Sequence, residues 1–280
     1  MFLKSLSLIN FKNIAQADLA FSGKLNCFVG DNGAGKTNVL DAIHFLSMCK
    51  SAFNQTDGQS VNHGADFFVV EGQYVLDGDR RDAVACSFKK GNGKVFKRNG
   101  KEYEKLSEHI GLLPVVLVSP SDTLLIHESG EERRRFLNTL LSQVDREYLG
   151  ALIRYNRLLA ERNKLLKNPG GQRFSGLLEV LDLQLVPAGE AVHARRRAVV
   201  DELRPAVERY YAVLSDDRER VEISYKSEIS DTPLADLLLR NTERDRVMQH
   251  TTGGVHRDDI RFSIGGHPLR KFGYQGQQKS

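Results

Sequence analysis

The first third of the chain alternates short apolar runs with polar turn residues, a pattern that predicts strands around a single helix. The strand-like runs cover residues 6–9, 25–29, 67–76, 83–88, 95–96 and 112–118. Turn signals at Gly91-Asn92-Gly93 and Asn99-Gly100 favour hairpins, so residues 67–98 should form an antiparallel β-meander. The helix is predicted by four apolar residues at helical spacing: Val39, Leu40, Ile43 and Leu46.

A helical pattern begins near residue 131 and continues to about residue 211, with leucines at helical spacing among charged residues. The segment Asn168-Pro169-Gly170-Gly171 interrupts this pattern and predicts a turn between two helical arms. Pro187 and Pro205 should kink or divide the second arm, because proline lacks the N–H that a helix needs. Since no heptad is sustained, the pattern favours a short helical lid over an extended coiled coil.

Strand character returns after residue 219 and completes the predicted organisation. The sequence predicts a strand over residues 221–225, a helix over 233–247 and a hairpin over 259–272 that turns at Gly265-Gly266. The chain therefore divides into three predicted segments, with the helical lid inserted between two parts that contain strands. Their boundaries are 1–125, 126–215 and 216–280.

Composition excludes several classes of protein. The 280 residues are 40% hydrophobic and 27% charged, which is typical of a globular protein. No apolar run approaches the length of a membrane span, and the N-terminus lacks a signal-peptide pattern, so we expect a cytoplasmic protein without a membrane partner. The three cysteines lack the close pairing of a zinc motif, and a cytosolic chain would keep them reduced, so a disulfide scaffold is also excluded. Forty Lys and Arg against 36 Asp and Glu leave a net charge of only +4, so any basic nucleic-acid footprint must be local.

The segment of residues 30–37 fits the phosphate-loop pattern G-x-x-x-x-G-K-[ST], between a predicted strand and a predicted helix. Glycines let backbone N–H groups approach phosphate oxygens, and the helix N-terminus adds partial positive charge. Lys36 should reach the β- and γ-phosphates of ATP, and the Thr37 hydroxyl should bind Mg²⁺. These two are the candidate catalytic residues, and Thr37 is the candidate metal ligand. The alternative is a glycine-rich connector without a ligand. The candidate cofactor-binding residues are Gly30, Asp31, Asn32, Gly33, Ala34, Gly35, Lys36 and Thr37.

A phosphate loop occurs in several classes of protein, including small-molecule kinases, GTPases, motor ATPases and ABC-type heads. A nucleoside kinase usually has its substrate lid soon after the helix that follows the loop. In this chain a β-meander comes next, and the helical segment begins only after residue 130. That order is typical of ABC-type heads.

Further motifs follow one another along the chain in the order found in one family. They are residues 8–13, Asn32, 118–122, 133–137, 155–166, 240–246, 254–259 and 275–278. Together they resemble the SMC-like ABC ATPases, and the RecF recombination mediators in particular. Val255 departs from the pattern, because many relatives have proline there.

The resemblance implies an α/β fold: an ABC-type P-loop ATPase head with an antiparallel β-meander and an inserted helical lid. It implies that two heads close head to tail around two ATP molecules as an ATP-dependent homodimer. Such a dimer clamps double-stranded DNA near single-strand gaps and junctions, works with RecR-type and RecO-type partners to load recombinase, and opens on hydrolysis. The family is a weak, DNA-stimulated ATPase. The signature that would complete the partner's site comprises Tyr274, Gln275, Gly276, Gln277 and Gln278.

Two alternatives from other classes stay open. One is an ATP-switched DNA-binding module with negligible hydrolysis, and the other is an ABC-type head of an unrelated system.

An ABC-type head also needs, after its signature, an apolar strand that ends in two acidic residues (Walker B) and a switch residue. The printed sequence contains neither after residue 278, so we expect the C-terminal part of the head to be absent from this chain. We expect it to be poorly stable and to bind nucleotide weakly without hydrolysing it.

Seven basic residues crowd the end of the meander, with only Glu102 and Glu104 between them. The functional interpretation is a patch that contacts DNA phosphates, with Lys94, Lys97 and Arg98 as the candidates; the alternative is a solvated strand face. The full set is Lys89, Lys90, Lys94, Lys97, Arg98, Lys101 and Lys105.

Two arginine clusters lie in the lid, at residues 133–135 and 195–197. For most of them we expect ion pairs on the helix surface, with Glu131, Glu132, Asp201 and Glu202 as partners.

The triplet His256-Arg257-Asp258 is similar to a kinase catalytic loop, but the position five residues later, where that loop requires asparagine, is Ser263. We therefore interpret it as a structural turn.

Tyr274 stands where the family signature has serine, whose small hydroxyl would contact the γ-phosphate across the dimer. We hypothesise that the bulkier phenol weakens ATP-dependent closure and leaves nucleotide binding at Lys36 intact; the alternative is that this lineage tolerates tyrosine there. In the full-length protein, Tyr274→Ser should then increase the dimer fraction measured with ATP by sedimentation. Equal dimerisation of the two proteins would refute the hypothesis.

Overall fold

The computed structural model describes residues 1–54, 56–127, 129–168 and 174–272. The chain divides into two compact units, residues 1–117 and 118–280. The second unit contains both the lid helices and the elements that follow them. The three-segment division at residues 125 and 215 stays a prediction.

The first unit contains a six-stranded antiparallel sheet in the order β2-β1-β3-β4-β5-β6. The predicted meander is confirmed as β3 to β6, since each strand pairs with the next through a short turn. The strands are β1 (Phe2–Phe11), β2 (Ile14–Ala20), β3 (Phe67–Val75), β4 (Arg81–Lys89), β5 (Gly93–Arg98) and β6 (Lys101–Glu102).

Helix α1 (Lys36–Met48) packs against strands β1, β3 and β4, and the core of the unit lies between the helix and these strands. Alternate residues of the strands point to the same face, so Leu6 and Leu8 of β1 are both buried. Phe11, Phe45 and Phe68 meet edge to face, with ring centroids 5.4–6.0 Å apart. Gly72 permits the close approach, because a Cβ there would lie 2.6 Å from Leu46 Cδ1.

Two predicted strands are absent from the sheet. Residues 25–29 and 112–118 pair with no strand within the described parts of the chain. Leu25 is 80% exposed, Val29 93% and Val116 85%. An apolar run forms a strand only where another segment accepts its backbone hydrogen bonds, which the run alone cannot guarantee. Strand β2 was not predicted for the converse reason: Ile14 and Leu19 are its only large apolar residues and form no continuous run, so its pairing with β1 stabilises it.

The second unit is built on α3 (Gly130–Val144), α4 (Arg146–Lys167) and α5 (Phe174–Ser215), after the short helix α2 (Leu124–His127). The predicted turn at residues 169–171 lies outside the described residues. Helix α5 has 42 residues, about 63 Å at the usual rise per residue. It runs through Pro187 and Pro205, so of the two expected effects, a kink or a division, the division is wrong, and the kink stays a prediction. Buried neighbours of Pro187, Leu185 and Ala188, pack in the core of the unit and stabilise the helix there.

The rest of the second unit packs against these helices. Strand β7 (Val221–Lys226) contacts α5, helix α6 (Leu234–Met248) follows, and β7 pairs with β8 (Asp259–Ile264). The predicted turn at Gly265-Gly266 is confirmed, but the returning strand β9 (His267–Pro268) is short and leads directly into helix α7 (Leu269–Phe272). Over the described residues, no helix has the length and apolar character to cross a membrane.

Candidate nucleotide-binding site

The phosphate-loop segment turns sharply into helix α1. Gly33 has φ 85° and Gly35 has φ 94°, a left-handed conformation that side chains disfavour. Gly35 is the N-cap, and the helix begins at Lys36. The glycines of the motif are therefore required by the backbone path. The loop brings the N-terminal end of α1, with its N–H groups that lack an intrahelical acceptor, to the site.

Lys36 lies with its ammonium group over the beginning of the same loop. Its Nζ donates hydrogen bonds to Gly30 O at 2.6 Å and to Asp31 O at 2.7 Å. Thr37 is exposed in the first turn of α1. The positive charge of Lys36, the exposed hydroxyl and the helix N-terminus thus meet in one short segment, which suits an anionic ligand.

A Mg²⁺ ion at this loop would depend on the nucleotide. Among the described residues, no group of three or more His, Cys, Asp or Glu side chains could hold a metal ion. Mg²⁺ in nucleotide sites is commonly held by one or two protein ligands together with phosphate oxygens. The exposed Thr37 hydroxyl fits that role and is the residue that would hold the ion.

The turn between β1 and β2 lies directly against the loop. A Cβ at Gly35 would lie 3.0 Å from Asn13 Oδ1 and 3.1 Å from Ile14 Cγ1, which is tighter than ordinary contact, and the φ of 94° disfavours any side chain there. Asn13 Nδ2 donates to Gly33 O at 2.6 Å, and Asn38 Nδ2 of helix α1 donates to Asn13 Oδ1 at 2.7 Å. The side chain of Asn13 therefore connects the loop with the helix that follows it.

Lys12 fixes the same turn to the helix from the other side. Its Nζ lies 2.6 Å from Oδ2 of Asp41, whose side chain is fully buried. Asp41 also accepts hydrogen bonds of 2.7 Å from Ser51 Oγ and from the N–H of Ala52. Periodicity does not predict these contacts of Lys12 and Asn13. In the sequence the two residues are notable only as part of the motif at residues 8–13 that resembles the family.

The three candidate DNA-binding residues on β5 do not share one surface. Lys94 Nζ lies 2.8 Å from Asp57 Oδ2 and donates to Cys49 O at 2.7 Å. Arg98 Nε donates to Asp82 Oδ2 at 2.8 Å. The hydrogen bond from Asn99 Nδ2, and after it the Arg98 guanidinium, lowers the pKa of the Asp82 carboxyl. Lys97 points to the opposite face of the sheet and is exposed. Only Lys97 of the three is thus presented to solvent without a described carboxylate partner, and Lys89, Lys101 and Lys105 are also exposed.

The expected surface pairing of the lid arginines is confirmed only in part. Arg135 pairs with Glu132 at 2.5 Å, as local helix pairs do. Arg195 lies 3.5 Å from Glu202, seven residues along the same helix, but its shorter contact, at 2.7 Å, is with Asp145. Arg133 instead pairs with Asp259 at 2.6 Å, 126 residues away in the sequence.

Arg196 also departs from that expectation. It is buried, and it donates to Val255 O at 2.7 Å and to Asn138 Oδ1 at 2.9 Å. The surface interpretation is wrong for Arg133 and Arg196, because the fold brings distant acceptors to them that helical spacing cannot reveal.

The turn that contains His256 is structural, as the sequence predicts. His256 Nε2 lies 3.0 Å from Thr251 O, which can only accept, so Nε2 carries the ring proton and donates it to that carbonyl. His256 Nδ1 therefore accepts the hydroxyl proton of Tyr155 at 2.8 Å. Burial lowers the pKa of His256 to about 4, which keeps the ring neutral near pH 7. Arg162 connects α4 to this region, with 2.6 Å contacts to Asp182 of α5 and Asp245 of α6.

The signature residues 274–278 lie outside the described residues. Their role as a site that acts in trans stays a prediction.

Comparisons with known proteins agree on one family. A family model described as an AAA domain matches residues 5–198. The DNA replication and repair protein RecF of Parabacteroides distasonis is 46% identical over 280 residues, which are all of this chain and 76% of that protein. The corresponding protein of Bacteroides thetaiotaomicron is 44% identical, with the same coverage.

Solved structures give the same result for the fold. The recombination mediator protein RecF with ATP, described as part of the RecFOR pathway, has a TM-score of 0.92 and 28% identity over 99% of this chain and 77% of that one. An SMC head bound to the C-terminal winged-helix domain of ScpA has a TM-score of 0.50 and 16% identity, with 100% of this chain and 73% of that one covered. This second likeness concerns the fold alone, and it agrees with the predicted ABC-type ATPase head.

Proposed function

The chain belongs to the RecF family of DNA replication and repair proteins, and we propose that it is an ATP-controlled DNA-binding protein of recombinational repair. The observation that carries this proposal is the phosphate loop of residues 30–37 within a chain that is similar to a RecF protein solved with ATP. In this proposal ATP binds with its phosphates at the N-terminus of α1. Lys36 neutralises phosphate charge, and Thr37 binds Mg²⁺.

We propose further that ATP favours a closed head-to-tail dimer, in which the signature around Gln275 of one copy faces the phosphate loop of the other. A nucleotide can shift such an equilibrium only through contacts that differ between the open and closed states. The γ-phosphate provides such a difference, and its hydrolysis would remove it. Clamping of duplex DNA near gaps, and work with RecR-type and RecO-type proteins, belong to the same proposal and are supported by the family.

The proposed DNA contact is the exposed part of the basic set, and the structure changes which residues are the best candidates. Lys94 and Arg98 already have carboxylate partners within the unit, so binding a phosphate would compete with those ion pairs. Lys89 of β4 and Lys97 of β5 are exposed and lie on the same face of the sheet, because the register pairs Lys97 with Ala85 and Lys89 with Gly93. Lysines that meet only the backbone phosphates give affinity without sequence preference.

A binding titration with a fluorescent gapped duplex tests the proposal. Addition of ATP with Mg²⁺ should raise the DNA affinity of the chain by about fivefold or more, because the closed state binds both ligands. The variant Lys36→Ala should not show this increase. Equal affinity with and without ATP, in a chain that binds ATP, would contradict the proposal.

Two further outcomes of this titration identify the alternatives. ATP-enhanced DNA binding without measurable turnover would favour a binding module that does not hydrolyse ATP. Failure to bind DNA at low salt, with ATP bound, would favour an ABC-type head of another system.

Charge reversal at the exposed lysines tests where DNA binds. The double variant Lys89→Glu/Lys97→Glu should weaken binding at every duplex sequence and reduce the slope of log affinity against log salt by about 2, roughly one per lost phosphate contact. The double variant Lys4→Glu/Lys226→Glu is the matched control, since both lysines are exposed and the change of charge is the same. An unchanged slope in the first variant, or an equal loss in both, would exclude this face as the DNA contact.

A further inference from the structure

We propose that Asn13 is a positioning residue for the phosphate loop: it holds one conformation of residues 30–37 and so sets the affinity for ATP. The inference rests on the proposed function, because it concerns the same nucleotide. It adds a residue outside the motif, on the turn between β1 and β2, that acts through the loop backbone.

The loop needs such a restraint because of its own composition. Gly30, Gly33 and Gly35 all have positive φ, and glycine peptides change orientation at little steric cost. A loop that populates several orientations binds its ligand more weakly, in proportion to the fraction of time spent in the competent one. Selection of a single orientation therefore increases affinity without any new contact to the ligand.

The hydrogen bonds of the loop carbonyls show how that orientation is selected. Lys36 Nζ donates hydrogen bonds to Gly30 O at 2.6 Å and to Asp31 O at 2.7 Å. Asn13 Nδ2 donates a hydrogen bond to Gly33 O at 2.6 Å. The Lys36 contacts come from within the motif, whereas the Asn13 contact fixes the central glycine peptide from outside it.

The amide of Asn13 is itself oriented by the helix. Asn38 Nδ2 donates to Asn13 Oδ1 at 2.7 Å, so the amide nitrogen of Asn13 faces Gly33 O. The reverse orientation would place two acceptors, Oδ1 and Gly33 O, against each other. Helix α1, the turn and the loop thus form one connected set.

The turn that carries Asn13 is anchored independently of the Asn13 side chain. The Lys12–Asp41 ion pair is buried, with only 11% of the Lys12 side chain exposed. The backbone N–H of Lys12 donates to Ser60 O at 2.8 Å. Removal of the Asn13 amide should therefore release the loop and leave the turn and the sheet in place.

Three substitutions separate the contacts. Asn13→Ala removes both hydrogen bonds and should weaken ATP binding about fivefold to tenfold, the usual effect of one hydrogen bond. Asn13→Asp has nearly the same shape and can still accept from Asn38, but it sets a carboxylate against Gly33 O, so the loss should be larger. Asn38→Ala leaves the bond to Gly33 but frees the amide to rotate, so the loss should be smaller.

The experiment measures binding of Mg·ATP to the 280-residue chain by calorimetry, together with the thermal midpoint of the nucleotide-free chain. Asn92→Ala, in the exposed turn between β4 and β5, is the control asparagine and should change neither quantity. The predicted order of weakened affinity, with thermal midpoints close to that of the unaltered chain, supports the inference.

The contradicting results are distinct. Unchanged affinity in Asn13→Ala and Asn13→Asp would overturn the inference and leave the proposed function standing. A loss of affinity matched by a fall in thermal midpoint would show that Asn13 supports the fold rather than the loop, and would also overturn it. Failure of the unaltered chain to bind ATP, or equal binding by Lys36→Ala, would overturn the proposed function and the inference together.

Discussion

The contact between the β1–β2 turn and helix α1 determines the geometry of the candidate site. On one side the buried Lys12–Asp41 pair fixes the turn to the helix, and a buried charge pair of this kind is costly to break because it leaves an uncompensated charge. On the other side Asn13 and Ile14 lie against Gly33 and Gly35. The phosphate loop is thereby held between a fixed turn and the N-terminus of the helix whose dipole it would use.

The elements that could be predicted from the sequence depend on local signals. The helix after the loop, the hairpins at Gly91 and Gly265, and the helical arms follow from spacing and turn chemistry, and all are present. The loop could be located for the same reason, because its glycines and Lys36 lie within eight residues. The restraint by Asn13 could not be predicted, because it joins residues 20 positions apart through a side chain.

The failures of prediction have the same origin in long-range contacts. Residues 25–29 have strand composition, but no described strand pairs with them, whereas β2 forms because β1 lies beside it. Glu131 and Glu132 precede Arg133, and Asp201 and Glu202 follow Arg196 within two helical turns, yet the partners of these arginines come from β8, α3 and the turn at Val255. For charged side chains, tertiary proximity determines the partner more than helical spacing does.

The central claim is that ATP binds at the loop held by this contact, and amide hydrogen exchange tests it most directly. Mg·ATP should slow exchange in residues 30–37, where backbone N–H groups would donate to phosphate oxygens, and Lys36→Ala should remove most of that protection. The account predicts that this segment is protected more than any other part of residues 1–117. Unchanged exchange at residues 30–37 in the presence of saturating ATP would contradict it.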